Sequence, residues 1–205
     1  MFSLLKREMT VASKSLLVSI LIFFAAIIYG IYDVIVDNGN QIQFFAIWFA
    51  LLIAMNMETR PMIQDDKDEV CKYLKMLPLN VNKIVSAKFI FVNSVFVIFD
   101  VIASSYLFAL SSCFPTIISF SINSILFSTA TSFIIINLFL LGYYIFGAAN
   151  LQYVILGACL GTFCLFKYLS PLLTMPYSLI IFILTIPACV VFYVISCKVF
   201  KKAKN

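Results

Sequence analysis

Apolar residues along most of this chain neither alternate nor form narrow helical stripes. They run unbroken. No charge falls within 15–32, 41–57 or 177–197, and 89–110 is interrupted only by Asp100. Residues 116–166 form an uncharged stretch of 51 residues. A helix needs roughly 20 apolar residues to cross a bilayer. The long stretch therefore holds two crossings, at about 119–146 and 151–166, joined by a turn at Gly147-Ala148-Ala149-Asn150. The pattern predicts six membrane-spanning helices in one transmembrane domain, 1–205. The fold class is all-α, because an open sheet leaves its edge groups unpaired in lipid.

Two segments have helical periodicity without spanning length. In 2–14, Phe2, Leu5, Met9, Ala12 and Leu16 share one face and Lys6, Thr10, Ser13 and Lys14 lie mostly opposite. This predicts an interfacial helix over 1–14, lying on the membrane lipid. Between the second and third spans, 58–88 reads as a polar loop. Within it, Asp66 and Glu69 have capping-box spacing, and Asp68, Glu69, Lys72 and Lys75 are ordered to oppose a helix dipole. Val70, Tyr73, Leu74 and Leu77 line one face, and Pro78 ends the pattern. Asn80 is placed to cap a further helix from Val81 into the third span. The 66–77 helix is too short to be stable alone, so it needs a surface to dock on.

Composition fits this division. The chain is 63% hydrophobic and 11% charged, against about half and a quarter in soluble domains. The net charge of +5 is unevenly placed. With six spans, both termini and the 58–88 and 147–152 loops share one side. That side collects every Lys and Arg except Lys167, so both termini are expected in the cytoplasm. Nine of the 24 residues in 65–88 are charged, out of 23 charged residues in the chain. The bias bears on orientation in the membrane and does not suggest nucleic acid. No A-x-A site follows the first apolar run, so it reads as a span and not a cleaved signal.

Reactive chemistry is sparse. The chain has no histidine, which removes His-based triads, proton relays and metal sites. Its six cysteines show no C-x-x-C pair. Asp100 lies twelve residues from Lys88, about 18 Å along a helix. With Asn93 and Ser104 it forms one polar stripe. That stripe either meets substrate in a pathway or bonds a neighbouring helix. Ser124, Ser128 and Ser132, and the Gly157/Gly161 pair, are helix-packing signals. Pro187 predicts a kink in the sixth span.

The stretch DDKDEVCKYLKMLPLNVNKIVSAKFI resembles the first cytoplasmic loop of small ABC-2-type exporter permeases. The shared features are the acidic run 65–69, Tyr73-Leu74, Leu77-Pro78, the polar step 80–83 and the lead-in 84–90. Where relatives often carry a Trp shortly before the Tyr, this chain has Cys71 and Lys72. The resemblance implies the transmembrane subunit of a bacterial ATP-driven exporter, in the cell membrane, paired with a second permease subunit and a separate ATP-binding cassette subunit. ATP and Mg would be held by that partner, and no cofactor by this chain. The sequence accords, having no G-x-x-x-x-G-K-[ST]. The 66–77 helix would then be a coupling helix, with Glu69, Val70, Tyr73, Leu74, Leu77 and Pro78 meeting the ATPase. Kinship points to an amphipathic peptide, a peptide antibiotic or another hydrophobic compound as cargo. The competing readings are a secondary transporter, which would want an internal repeat and more ionisable groups, and a membrane immunity or assembly protein. An intramembrane protease would want a second facing Asp or a His.

Overall fold

The structure, a computed structural model, describes residues 2–36, 42–67, 80–115, 121–147, 150, 153, 157 and 175–202. Among them there is no strand. The helices are α1 (Phe2–Ala12), α2 (Leu16–Val36), α3 (Ile42–Lys67), α4 (Val81–Cys113), α5 (Ile122–Phe146) and α6 (Met175–Lys202), with a short 3-10 turn, Ser13–Ser15, between α1 and α2. Among the described residues, three stretches are long and apolar enough to cross a membrane: Asn82–Cys113, Ile122–Phe146 and Tyr177–Lys202. Val18–Tyr32 is a shorter apolar helix. The expected fifth span, 151–166, lies outside the described residues apart from positions 153 and 157.

Local chemistry explains several boundaries. The Asn80 side chain accepts from the Asn82 N–H at 3.0 Å and starts α4 where the sequence placed it. This helix runs 33 residues, about 50 Å. Ser121 caps α5 through the Ser124 N–H. Gly147 ends α5 at φ 73°, a left-handed conformation that glycine adopts without a Cβ penalty. The expected turn does begin there. Gly157 is exposed, and among the described residues nothing lies within 4 Å of where its Cβ would stand.

One boundary departs from expectation. The second helix does not stop near Met57. It continues through Pro61 to Lys67, so 58–67 is helix and not loop. Asp66, expected to begin a new helix, instead lies in the last turn of α3. A proline this deep in a helix removes one backbone bond. Here the helix is held on both sides of it by buried ionic contacts of Glu58 and Asp65. Those contacts join residues distant in sequence, which no local periodicity reveals.

The helices pack around α3, α4 and α5, whose fully buried side chains include Leu51, Met62, Phe96, Ile136, Phe139 and Leu140. Phe96 and Phe133 meet edge to face at 4.9 Å between ring centres. The Tyr106 hydroxyl donates to the Ile27 carbonyl, tying α4 to α2, and the Asn56 amide donates to Ser19 Oγ, tying α3 to α2. On α6, large apolar side chains such as Leu184, Ile186, Val190 and Val191 stay exposed, as lipid-facing residues do.

The helix ends gather consistently. Glu8, Asp65, Lys88 and Tyr143 meet at one end, and Phe200 near the end of α6 packs on Tyr144 there. At the opposite end, the Ser178 hydroxyl bonds Asn123. The middle of α1, the end of α3, the first turns of α4, the end of α5 and the end of α6 therefore share one end of the bundle.

Candidate functional site

The shared end is organised by charge. Lys88 Nζ lies 2.9 Å from Asp65 Oδ2, 3.3 Å from Glu58 Oε1 and 3.4 Å from Glu8 Oε2. Arg7 bonds Asp65 and approaches Glu8 at 3.2 Å. Lys88 also sits over the Tyr143 ring, 5.7 Å from its centre. Exposure is 3% for Glu8, 0% for Glu58, 1% for Asp65 and 3% for Lys88, so four charged residues are effectively out of contact with solvent. Buried charges persist only when paired and hydrogen-bonded. Helical spacing makes the cluster: Glu58 and Asp65 are seven residues apart, two turns on one face of α3.

The cluster holds three carboxylates and two bases. Glu58, just beyond the apolar run 41–57, is the most buried of the acids. Burial drives its carboxyl up from an ordinary 4.5 to about 8. Lys88 pulls the other way, while the Glu8 and Asp65 carboxylates add to the rise. The cluster carries one more acid than base.

A second arrangement lies deeper. Asn93 and Asn137 bond each other reciprocally: Asn93 Nδ2 donates at 3.3 Å and Asn137 Nδ2 donates back at 3.1 Å. Asn137 Nδ2 also reaches Cys189 Sγ at 3.2 Å, so α4, α5 and α6 meet at one amide pair. This pair borders an open groove of about 590 Å³ between those helices. Its walls are mainly Phe89, Phe133, Phe182, Ile186 and Val190. The Ser86 and Tyr193 hydroxyls, 2.8 Å apart, close one side.

The expected site residues fare differently. Glu69, Val70, Tyr73, Leu74, Leu77 and Pro78 lie outside the described residues. Asn93 borders the groove. Asp100 accepts from the Thr129 hydroxyl at 3.2 and 3.3 Å, a helix-to-helix bond of the kind one reading of the polar stripe anticipated. Ser104 lies half-buried farther along α4. The sequence reading placed Glu58 and Lys88 in a polar loop and did not single out Glu8, so it missed all three as interior residues. Two signals were available: Glu8 is the sole acid among the first 32 residues, and Glu58 and Asp65 share a helix face.

No curated protein and no solved structure matches the chain. A family model described as "ABC-2 family transporter protein" matches residues 3–201, nearly the whole chain. That family supplies the membrane permease component of ABC transporters and not the ATPase, which implies an ATP-binding partner. The chain belongs to the ABC-2 family of transporter proteins.

Proposed function

We propose that this chain is the permease of an exporter in a bacterial cell membrane, with both termini in the cytoplasm, driven by ATP hydrolysed on a separate subunit. The family match over 3–201 carries this reading. Every Lys and Arg but Lys167 falls near the termini or within 58–88, the stretches assigned to one side, which supports the orientation. Two permease subunits pair in the membrane, and the exposed apolar surface of α6 supports a lipid or protein neighbour there. The segment 68–77, following α3, is the coupling element. Val70, Tyr73, Leu74 and Leu77 form its docking stripe, flanked by Glu69 and Pro78. Closure of the ATPase would push this segment, and α4, about 50 Å long, would carry the movement into the membrane.

The cargo path follows the polar stripe of α4, entering by Asn93 at the groove and passing Asp100 and Ser104. The apolar walls and uncharged polar edge of the groove support an amphipathic or hydrophobic cargo, such as a peptide or peptide antibiotic.

Co-purification with an ATPase tests the class. The intact complex should hydrolyse ATP faster than the ATPase alone, and Tyr73→Ala with Leu74→Ala should abolish that stimulation while leaving membrane insertion unchanged. Full activity of this chain in vesicles free of any ATPase would refute the reading. Asp100→Asn with undiminished export would remove Asp100 from the path.

A further inference from the structure

The charge cluster joins elements that the chain itself connects only through the segment between them. Asp65 lies two residues before the end of α3, and Lys88 lies eight positions into α4. The segment 68–79 joins these two helices in the sequence, so they are its two arms. The ion pair at 2.9 Å therefore ties the two arms of that segment together. Glu8 on α1 pairs with Lys88, and Arg7 pairs with Asp65, so α1 is bound to both arms.

Stability alone is a weak reason for such a site. Well-packed apolar residues often replace buried ion pairs at no loss of stability, whereas charged partners fix one arrangement of the elements they join. Four of the five side chains are almost wholly buried, and each base has carboxylates on two helices or more within reach. Such a cluster resists sliding of α1, α3 or α4 past one another, because any slip leaves a buried charge without its partner.

We infer that Lys88 is a positioning residue that locks the arms of segment 68–79 to each other and to α1, so that a push on the segment moves α1, α3 and α4 as one body. This rests on the permease reading above. Lys88 makes no contact with cargo or nucleotide in this role. It acts by holding Asp65, Glu58 and Glu8.

Two measurements test it. The first needs no ATPase. Met9 and Ser94 border one pocket between α1 and α4. In a Met9→Cys/Ser94→Cys chain, a short bifunctional thiol reagent should join the two positions, with the product mapped by mass spectrometry. Adding Lys88→Met should cut the yield by about threefold or more as α1 is released. An unchanged yield overturns the lock. The second uses the full complex in vesicles and reads ATP hydrolysis stimulated by the permease. Lys88→Met should still bind the ATPase yet lose most of the stimulation. Asp65→Asn combined with Lys88→Met should lose no more than either change alone, since both break one device. Additive losses, or full stimulation by Lys88→Met, overturn the positioning role. If Lys88→Met fails to insert, Arg7→Gln, at the more exposed rim of the cluster, takes its place and should weaken both readouts in the same way. A wild-type chain that neither binds nor stimulates an ATPase overturns the permease reading, while the cross-link still judges the lock.

Discussion

Lys88 and Asp65 face each other at 2.9 Å in the interior, although 22 residues of largely charged and turn-forming sequence lie between them. Three further charged groups close around the pair: Glu58, Glu8 and Arg7. The stretch that looks most water-seeking in the sequence thus contributes part of the protein's interior.

Removing one partner should cost more than removing the charges together. Asp65→Asn leaves Arg7 and Lys88 short of a carboxylate, and losses of about 3–5 kcal/mol are typical when a buried pair is broken. Thermal unfolding in detergent should show a clear fall for Asp65→Asn or Lys88→Met singly. Triple neutralisation of Lys88, Asp65 and Glu8 should fall by less than the sum of its parts. A strictly additive result would show that these residues do not act together.

Glu58 predicts a pH dependence. Its carboxyl is held up to about 8, so the folded chain keeps a proton that the unfolded chain releases. The resulting stabilisation is complete below about 4.5 and is lost as pH rises through about 8. Thermal midpoints should therefore decline across that window. Glu58→Gln, which keeps the shape and cannot ionise, should flatten the decline. An identical pH profile in the variant would count against a buried protonated acid.

The Asn93–Asn137 pair predicts a coupled effect. Each single change to Leu leaves the other amide without its partner, at a cost of about 1–2 kcal/mol. The double change restores an apolar match and should cost less than the sum. Resistance to denaturant in the four variants completes the cycle, with simple additivity as the contrary result.

Helix ends give a smaller prediction. Asn80→Ala removes the acceptor for the Asn82 N–H and should cost about 1 kcal/mol. Gly147→Ala places a Cβ at φ 73° and should cost about 1–2 kcal/mol. Hydrogen exchange should rise in the first turn of α4 for the former and the last turn of α5 for the latter. Changes spread evenly over the chain would contradict a capping role.

Much of the architecture was readable from composition and period alone. Apolar runs at 15–32, 89–110, 119–146 and 177–197 overlap helices α2, α4, α5 and α6. Asn80 and Gly147 marked their boundaries because capping depends on the residue itself and its immediate neighbours. The end of α3 was misread because the uncharged run stops at Met57 and Asp66 has the spacing of a helix start, while the contacts that hold 58–67 in the helix come from α1 and α4.

The amino-acid sequence by itself determined that this is an all-helical chain made for lipid, with its bases concentrated at the termini and in the loops assigned to one side. Hydropathy and charge sum along the chain, so a linear reading captures them. Only the tertiary structure decided which charges leave water, which helix Asp100 bonds, and where a groove opens beside Asn93. Those outcomes depend on partners dozens of residues away. A charge is buried or solvated according to what packing brings beside it, and that is not written in its neighbours.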